Sequence, residues 1–168
     1  RFGAFDWGFD HPWCFGDFRA DEDGNVFLVD TLWGREDLPD AQADKIVKVF
    51  GSDFRYIVAG HDCWNKVKAR GETTPTVAEQ FWNHDPRLRL DKANTSRESG
   101  LTNFRLYTQW KATEHHEERV PKFRMFDTAG NRRLLEQLEA MQVDLKNVND
   151  ALKVDAVVID EAHNLGDV

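Results

Sequence analysis

Two acidic residues of this 168-residue chain close apolar stretches: Asp6 ends "FGAFD" and Asp62 ends "FRYIVAGHD". Two more, Asp160 and Asp167, lie in the C-terminal stretch "AVVIDEAHNLGDV". If the strands ending in Asp6 and Asp62 are neighbours in one sheet, their tips meet, and Asp160 or Asp167 could complete a cluster. Carboxylates forced together repel each other, and hard divalent cations with oxygen ligands relieve that repulsion. The chemistry that follows is two-metal hydrolysis of a phosphodiester, one ion activating water and the other stabilising the leaving oxygen. With 30 acidic residues in the chain, however, some fall at strand ends by chance, and a lone Asp is commonly a turn or cap residue.

The elements that must position these acids are legible in the hydrophobic pattern. Residues 2 to 6, 13 to 19 and 26 to 32 are aromatic and β-branched, separated by the turn formers "GFDHP" and "ADEDGN", which predicts a three-strand antiparallel meander. After Pro39, Ala43, Ile46, Val47 and Phe50 recur at helical spacing up to Gly51, which predicts a first helix. "FRYIVAGHD" reads as a short parallel strand with Asp62 at its C-terminal tip. Residues 75 to 83 form a helix with Pro75 at its first position, and "RLRLD" forms a strand. Residues 96 to 112 form a helix with Leu101, Phe104 and Tyr107 or Thr108 on its buried face. Residues 122 to 127 form a strand, 131 to 142 an amphipathic helix and 154 to 160 the last strand, while the charged run 113 to 122 is a solvated loop or hairpin. The order βββαβ followed by alternating α and β predicts a mixed sheet flanked by helices.

Composition narrows the classes. A chain of this length forms one domain with a single substantial core, and 40% apolar with 31% charged residues is a globular balance with many aromatics. No apolar run approaches the ~18 residues of a membrane span. Cys14 and Cys63 are too far apart for a zinc ribbon or a disulfide framework, so two thiols are expected. The net charge of −8 argues against binding nucleic acid by bulk positive charge and leaves room for a local basic strip acting with metal ions. Both ends interrupt elements and no targeting signal is visible, so the chain is expected to be a domain excised from a larger protein.

The letters Asp160-Glu161-Ala162-His163 match the acidic pair of a DEAH-type helicase. Such a motor needs a phosphate-cradling G-x-x-x-x-G-K-[ST] loop, and no glycine here is followed by Lys-Ser or Lys-Thr. A serine hydrolase is equally unsupported, because none of Ser52, Ser96 and Ser99 sits in G-x-S-x-G.

A more specific match begins at "FDWGFDHPW" and "DEDGNVFLVDTLW", and continues through "YIVAGHD", "PTVAEQFW" and "LRLDKANTSRESGLTNFRLY" to "FRMFDTAGNRRLLEQLEAM". In that order the pieces resemble the nuclease domain of the large terminase subunit of tailed bacteriophages. Lys92, Ala93, Arg97 and Gly100 match the family's K-A-x-x-x-R-x-x-G stretch, and the resemblance spans essentially the whole chain. It implies the RNase H-like (retroviral integrase) fold and an endonuclease that cuts concatemeric double-stranded DNA with two divalent cations, Mg²⁺ or Mn²⁺. Residue by residue, it makes Asp6 the metal ligand of the first strand and Asp62 the second. Asp167 best matches the acid of the family's D-x-x-D-A-L-R-Y segment, with Asp160 as fallback, and a helix beginning there would favour an anion.

Asp10 and His163 are possible auxiliary groups, Asp10 alternatively shaping the turn before Pro12. His61 is expected to point away from the acids and to be structural. Lys66, Lys68, Arg70, Lys92 and Arg97 are candidates for phosphate contacts that position DNA without reading its sequence. The resemblance further implies an N-terminal packaging ATPase outside this chain, a small terminase subunit and a portal protein as partners, no membrane, and the host cytoplasm as location. Other RNase H-like enzymes of the resolvase or transposase type share the acidic cluster, and a non-catalytic DNA- or protein-binding module is the third alternative.

Overall fold

A computed structural model of the chain describes residues 1–66, 68–69, 72–94, 96–109, 121–140, 143–144 and 147–151. The three aromatic stretches form the meander β1 (Phe2–Asp6), β2 (Trp13–Ala20) and β3 (Val26–Gly34), paired antiparallel. Every residue of β1 is buried, because the strand is central and covered on both faces, which is why its sequence runs apolar without alternating. β4 (Ile57–Ala59) pairs parallel with β1, β7 (Leu90–Lys92) parallel with β4, and β8 (Phe123–Met125) parallel with β3. The resulting order is β7-β4-β1-β2-β3-β8, the mixed sheet expected from the sequence. Two short hairpins lie apart from it: β5 (Lys68–Ala69) with β6 (Glu72–Thr73), and β9 (Val143–Asp144) with β10 (Asn147–Ala151).

Period-two alternation divides the core between the two faces of the sheet. One face carries Phe5, Trp13, Phe15, Ile57 and Leu90 against Ala43 and Ile46 of α1 (Pro39–Phe50) and Val77 and Phe81 of α2 (Val77–His84). The other carries Phe2, Ala4, Cys14, Phe18 and Leu28 against Leu134 of α4 (Ala129–Ala140). A bulge between Asp17 and Phe18 shifts the register of β2 on β3. Phe81 is fully buried and in contact with Phe5, so truncating it to Ala would destabilise the domain by about 3–5 kcal/mol.

Local signals explain the boundaries. α1 starts at Pro39 and stops at Gly51, whose φ of 74° is left-handed backbone. α2 is capped by Thr76, whose hydroxyl accepts from the Glu79 N–H while the Glu79 carboxylate accepts from the Thr76 N–H. Pro75 therefore precedes the cap instead of opening the helix, a correction owed to this reciprocal box. α3 (Arg97–Thr108) packs on β8 with Phe104 edge-on to Phe123; Leu101, Phe104 and Thr108 are half-buried, and Tyr107 faces outward. Cys14 and Cys63 are buried thiols. Among the described residues no helix is long and apolar enough to cross a membrane. The strand expected at 154 to 160 and most of the charged run 113 to 122 lie outside the described residues.

Candidate active site

Asp6 is the last residue of β1, opposite Cys14 of β2 and only 7% exposed. The chain turns away immediately after it, and that turn is fixed from α1. Gln42, fully buried, donates from Nε2 to the Gly8 carbonyl at 2.8 Å and to the Asp37 carbonyl at 2.8 Å. A buried amide bridging two loop carbonyls is costly to replace, because both acceptors would lose their partner. The β1 tip is thus held by a residue that hydrophobic periodicity alone would place at random.

Asp62 reaches the same end of the sheet by a different route. The parallel register pairs Phe5 with Ala59, so the next residues of both strands leave side by side. Beyond Gly60 the chain winds into a single 3₁₀ turn (His61–Trp64) instead of remaining extended. Asp62 therefore stands in that turn, slightly past the strand tip where the sequence placed it. Its Oδ1 accepts from the Cys63 N–H at 3.1 Å and lies over Gly60, where an added Cβ would come within 2.7 Å of it. Only glycine leaves room for the carboxylate in this orientation.

The electrostatics of the two acids meet at Cys63. Burial, and then the negative charges of Asp62 and Asp6, push its thiol far above the ordinary range, so in the metal-free chain the sulfur stays protonated. Phe5 and Ala59 are paired in parallel, so the residues after them, Asp6 on one strand and Gly60 leading to Asp62 on the other, leave the same end of the sheet. Asp62 as a residue is exposed, yet the surroundings of its carboxyl group raise it above its ordinary value, chiefly by desolvation, with N–H donors and His61 opposing. An ionised carboxylate penalised by its surroundings and set beside a second one fits a divalent cation, which would reverse the penalty.

The surrounding residues divide between those brought close and those that are not. Lys92 ends β7 in register with Ala59 and places its ammonium 5.4 Å from the centre of the Trp64 ring. His61 Nε2 is 2.9 Å from the Ala93 carbonyl, tying the 3₁₀ turn to the end of β7. The expected reason for its being structural, a continuing strand that turns it away from the acids, does not hold, since His61 acts on Asp62. Lys66 follows the turn and is exposed. Asp10 is exposed in the turn after β1, its carbonyl bonded to Arg35 at 2.9 Å. Among the described residues no three His, Cys, Asp or Glu side chains gather as a metal site. Lys68 and Arg97 have described backbone only, while Arg70, Asp160, His163 and Asp167 lie outside the described residues.

Gly60, Cys63 and Trp64 belong to the site and were not singled out from the sequence; the signal was the string "GHDCW" directly after a strand, which a turn former opens. A groove of about 840 Å³ adjoins Trp64 and Lys66 and extends along α2 to Trp82 and Arg89.

No protein-family model matches this sequence, and no curated protein matches it. Solved structures do. The P22 large terminase nuclease domain is similar with a TM-score of 0.62 at 18% identity, over 97% of this chain and 77% of that one. The large terminase nuclease domain of bacteriophage SPP1, with bound Mn, is similar with a TM-score of 0.62 at 16% identity, over 96% of this chain and 82% of that one. The large terminase of the thermophilic bacteriophage D6E is similar with a TM-score of 0.60 at 12% identity, over 98% of this chain, which spans 38% of that protein. The chain therefore has the RNase H-like fold of terminase nuclease domains, as the resemblance in its sequence implied.

Proposed function

We propose that this chain is a divalent-metal-dependent DNA endonuclease domain of the packaging-terminase type, cutting concatemeric double-stranded DNA. The observation that supports this proposal is the parallel pairing of the strands leading to Asp6 and Asp62, in a fold shared with terminase nuclease domains. The Mn bound to the SPP1 domain supports the choice of Mg²⁺ or Mn²⁺, held by Asp6 and Asp62 with Asp167 as third acid; Asp160, Asp10 and His163 are the alternatives for that place. Bound there, such ions would supply an activated water and a counter-charge for the leaving oxygen.

The chain's own residues do the positioning. Asp6 is fixed by burial at the end of a central strand, and Asp62 is aimed by the Cys63 N–H and the bare Cα of Gly60. Lys66 and Lys92, with Lys68, Arg70 and Arg97, would hold the phosphate backbone without reading bases. A net charge of −8 keeps that hold weak, which restrains cutting away from the packaging motor. A packaging ATPase domain, a small terminase subunit and a portal protein, in the host cytoplasm, complete the proposed setting.

The test is conversion of supercoiled plasmid to nicked and linear forms with Mg²⁺ or Mn²⁺, by the wild-type chain and by Asp6→Ala. Cutting that disappears in the variant, with its circular dichroism and melting preserved, supports the proposal. A wild-type chain inert at every concentration of either ion would overturn it in favour of a binding module.

A further inference from the structure

The groove beside the paired carboxylates has a wall chemistry that the hydrolytic step does not use. It lies where α2 packs against the 3₁₀ turn and β7, and Trp64, Lys66, Thr74, Trp82, Asn83 and Arg89 line it. The inner face of α2 is satisfied by Val77 and Phe81, which are buried, whereas Trp82 on the same helix is 49% exposed. Half of its indole is thus open to a ligand lying in the groove. Trp64 sits two residues beyond Asp62 in the same turn, with Lys92 over its ring, so one end of the groove is carried by the turn that holds Asp62.

Its charge is locally favourable to an anion in a chain that is acidic overall. Lys66 and Arg89 lie in it, and Lys92 stands at its Trp64 end. The acid among them, Glu79, is held ionised at the N-terminus of α2 by hydrogen bonds from Thr76, 2.7 Å from the Thr76 N–H, and its charge offsets one of these cations. Asp91 is 3.4 Å from Arg89 in an exposed pair, which screens little of that cation's reach toward a phosphate. Exposed indole faces interleaved with cations and with the neutral hydrogen-bonding groups of Thr74 and Asn83 make the surface on which unpaired bases stack. A volume of about 840 Å³ accommodates roughly two nucleotides by comparison with ordinary ligand pockets.

We infer that this groove takes an unpaired stretch of the DNA strand being cut, with a base stacked on Trp82 and the flanking phosphates against Lys66 and Arg89. The identity of the strand rests on the nuclease proposal; the stacking chemistry of the groove does not. A substrate frayed or gapped next to the scissile phosphate is then held in preference to an intact duplex.

The experiment uses the whole chain in EDTA, so that no cutting intervenes. Binding of fluorescein-labelled oligo-dT of about 12 nucleotides, a length within the usual site sizes of single-strand binders, is followed by anisotropy and compared with a duplex of equal length. The expected result is preference for the single strand, a loss of at least about tenfold in Trp82→Ala, substantial retention in Trp82→Phe, and duplex binding unchanged in both. Single-strand binding that is absent, weaker than duplex binding, or indifferent to Trp82→Ala would overturn the inference. Loss in both Trp82 variants with unaltered melting would also overturn stacking as its basis. The two proposals separate cleanly: a chain that stacks single strands on Trp82 and cuts nothing with Mg²⁺ or Mn²⁺ loses only the nuclease, and one that cuts with Trp82 irrelevant to binding loses only the groove.

Discussion

Asp37 and Asp62 sit on opposite sides of the β1 tip and are treated in opposite ways. Asp37 takes both oxygens to Lys45, at 2.6 and 2.7 Å, and accepts the Trp13 indole N–H at 2.9 Å. That company, the Lys45 bond first, holds its carboxyl below the ordinary range. Asp62 is met by its neighbour's backbone N–H, and desolvation holds it above the ordinary range. Asp17, buried in the middle of β2, is likewise given a cation, Arg1 donating to both of its oxygens at 2.9 and 3.1 Å. An acid that serves the fold is given a cation, and an acid kept at a loss beside a second acid is the better candidate for chemistry.

The comparison is broken most severely at Asp6. Replacing it with Asn keeps the size and removes the charge, and cleavage is expected to fall by at least about a thousandfold, comparable to removal of a group acting as part of a catalytic unit; turnover on plasmid DNA, with melting as control, measures this. Gly60→Ala leaves both acids present and pushes the Asp62 carboxylate aside by a few tenths of an ångström or more. A loss of about 10- to 100-fold follows for a misplacement of up to ~1 Å, with little change in melting temperature.

Stability separates Asp37 from Asp62 by sign. Asp37→Ala strands the buried Trp13 N–H and should cost about 1–3 kcal/mol, a fall of about 2–12 °C in Tm by the usual scaling. Because the folded carboxyl is depressed, Asp37's contribution is present above its unfolded value of 3.8 and fades as pH falls below it. Asp62 is raised, so its cost is absent below 3.8, sets in as pH rises, and is complete above the folded value. Metal-free Asp62→Asn should therefore melt no lower than wild type at neutral pH and equally at pH 3, any gain being small because Asp62 is exposed and screened by solvent, while losing activity. Thermal scans across pH in EDTA distinguish the two. The smallest effect belongs to Lys92→Ala: a few-fold weaker DNA binding and a salt slope reduced by about one, read from binding titrations at several salt concentrations.

Much of this was legible because strand and helix periods were strong where the core is. β1, β2 and β3 lie within a residue or two of their expected limits, and α1 ends at the glycine expected to end it. The adjacency of β1 and β4, on which the pairing of Asp6 and Asp62 depends, was a topological conjecture that the parallel register bears out. What escaped was set by tertiary context. Gln42 reads as a solvent-facing helix residue and is buried because two loop carbonyls need its amide. The turn at 61 to 64 hides in a string that reads as continuing strand, and the face of the helix over 75 to 83 was not assigned from the sequence, where Phe81 proves buried and Trp82 half exposed. The C-terminal acids carry the part of the site that sequence proposed and the described residues do not contain.

The central claim, that Asp6 and Asp62 jointly hold a divalent cation, is most directly tested by titrating Mn²⁺ against the chain and following the free-ion signal by electron paramagnetic resonance. Wild-type protein should remove Mn²⁺ from the free pool, with Asp6→Asn and Asp62→Asn each weakening that uptake by about tenfold or more, a range seen even for supporting groups around metal sites. Uptake that is absent in the wild type, or unchanged in both variants, would contradict the account.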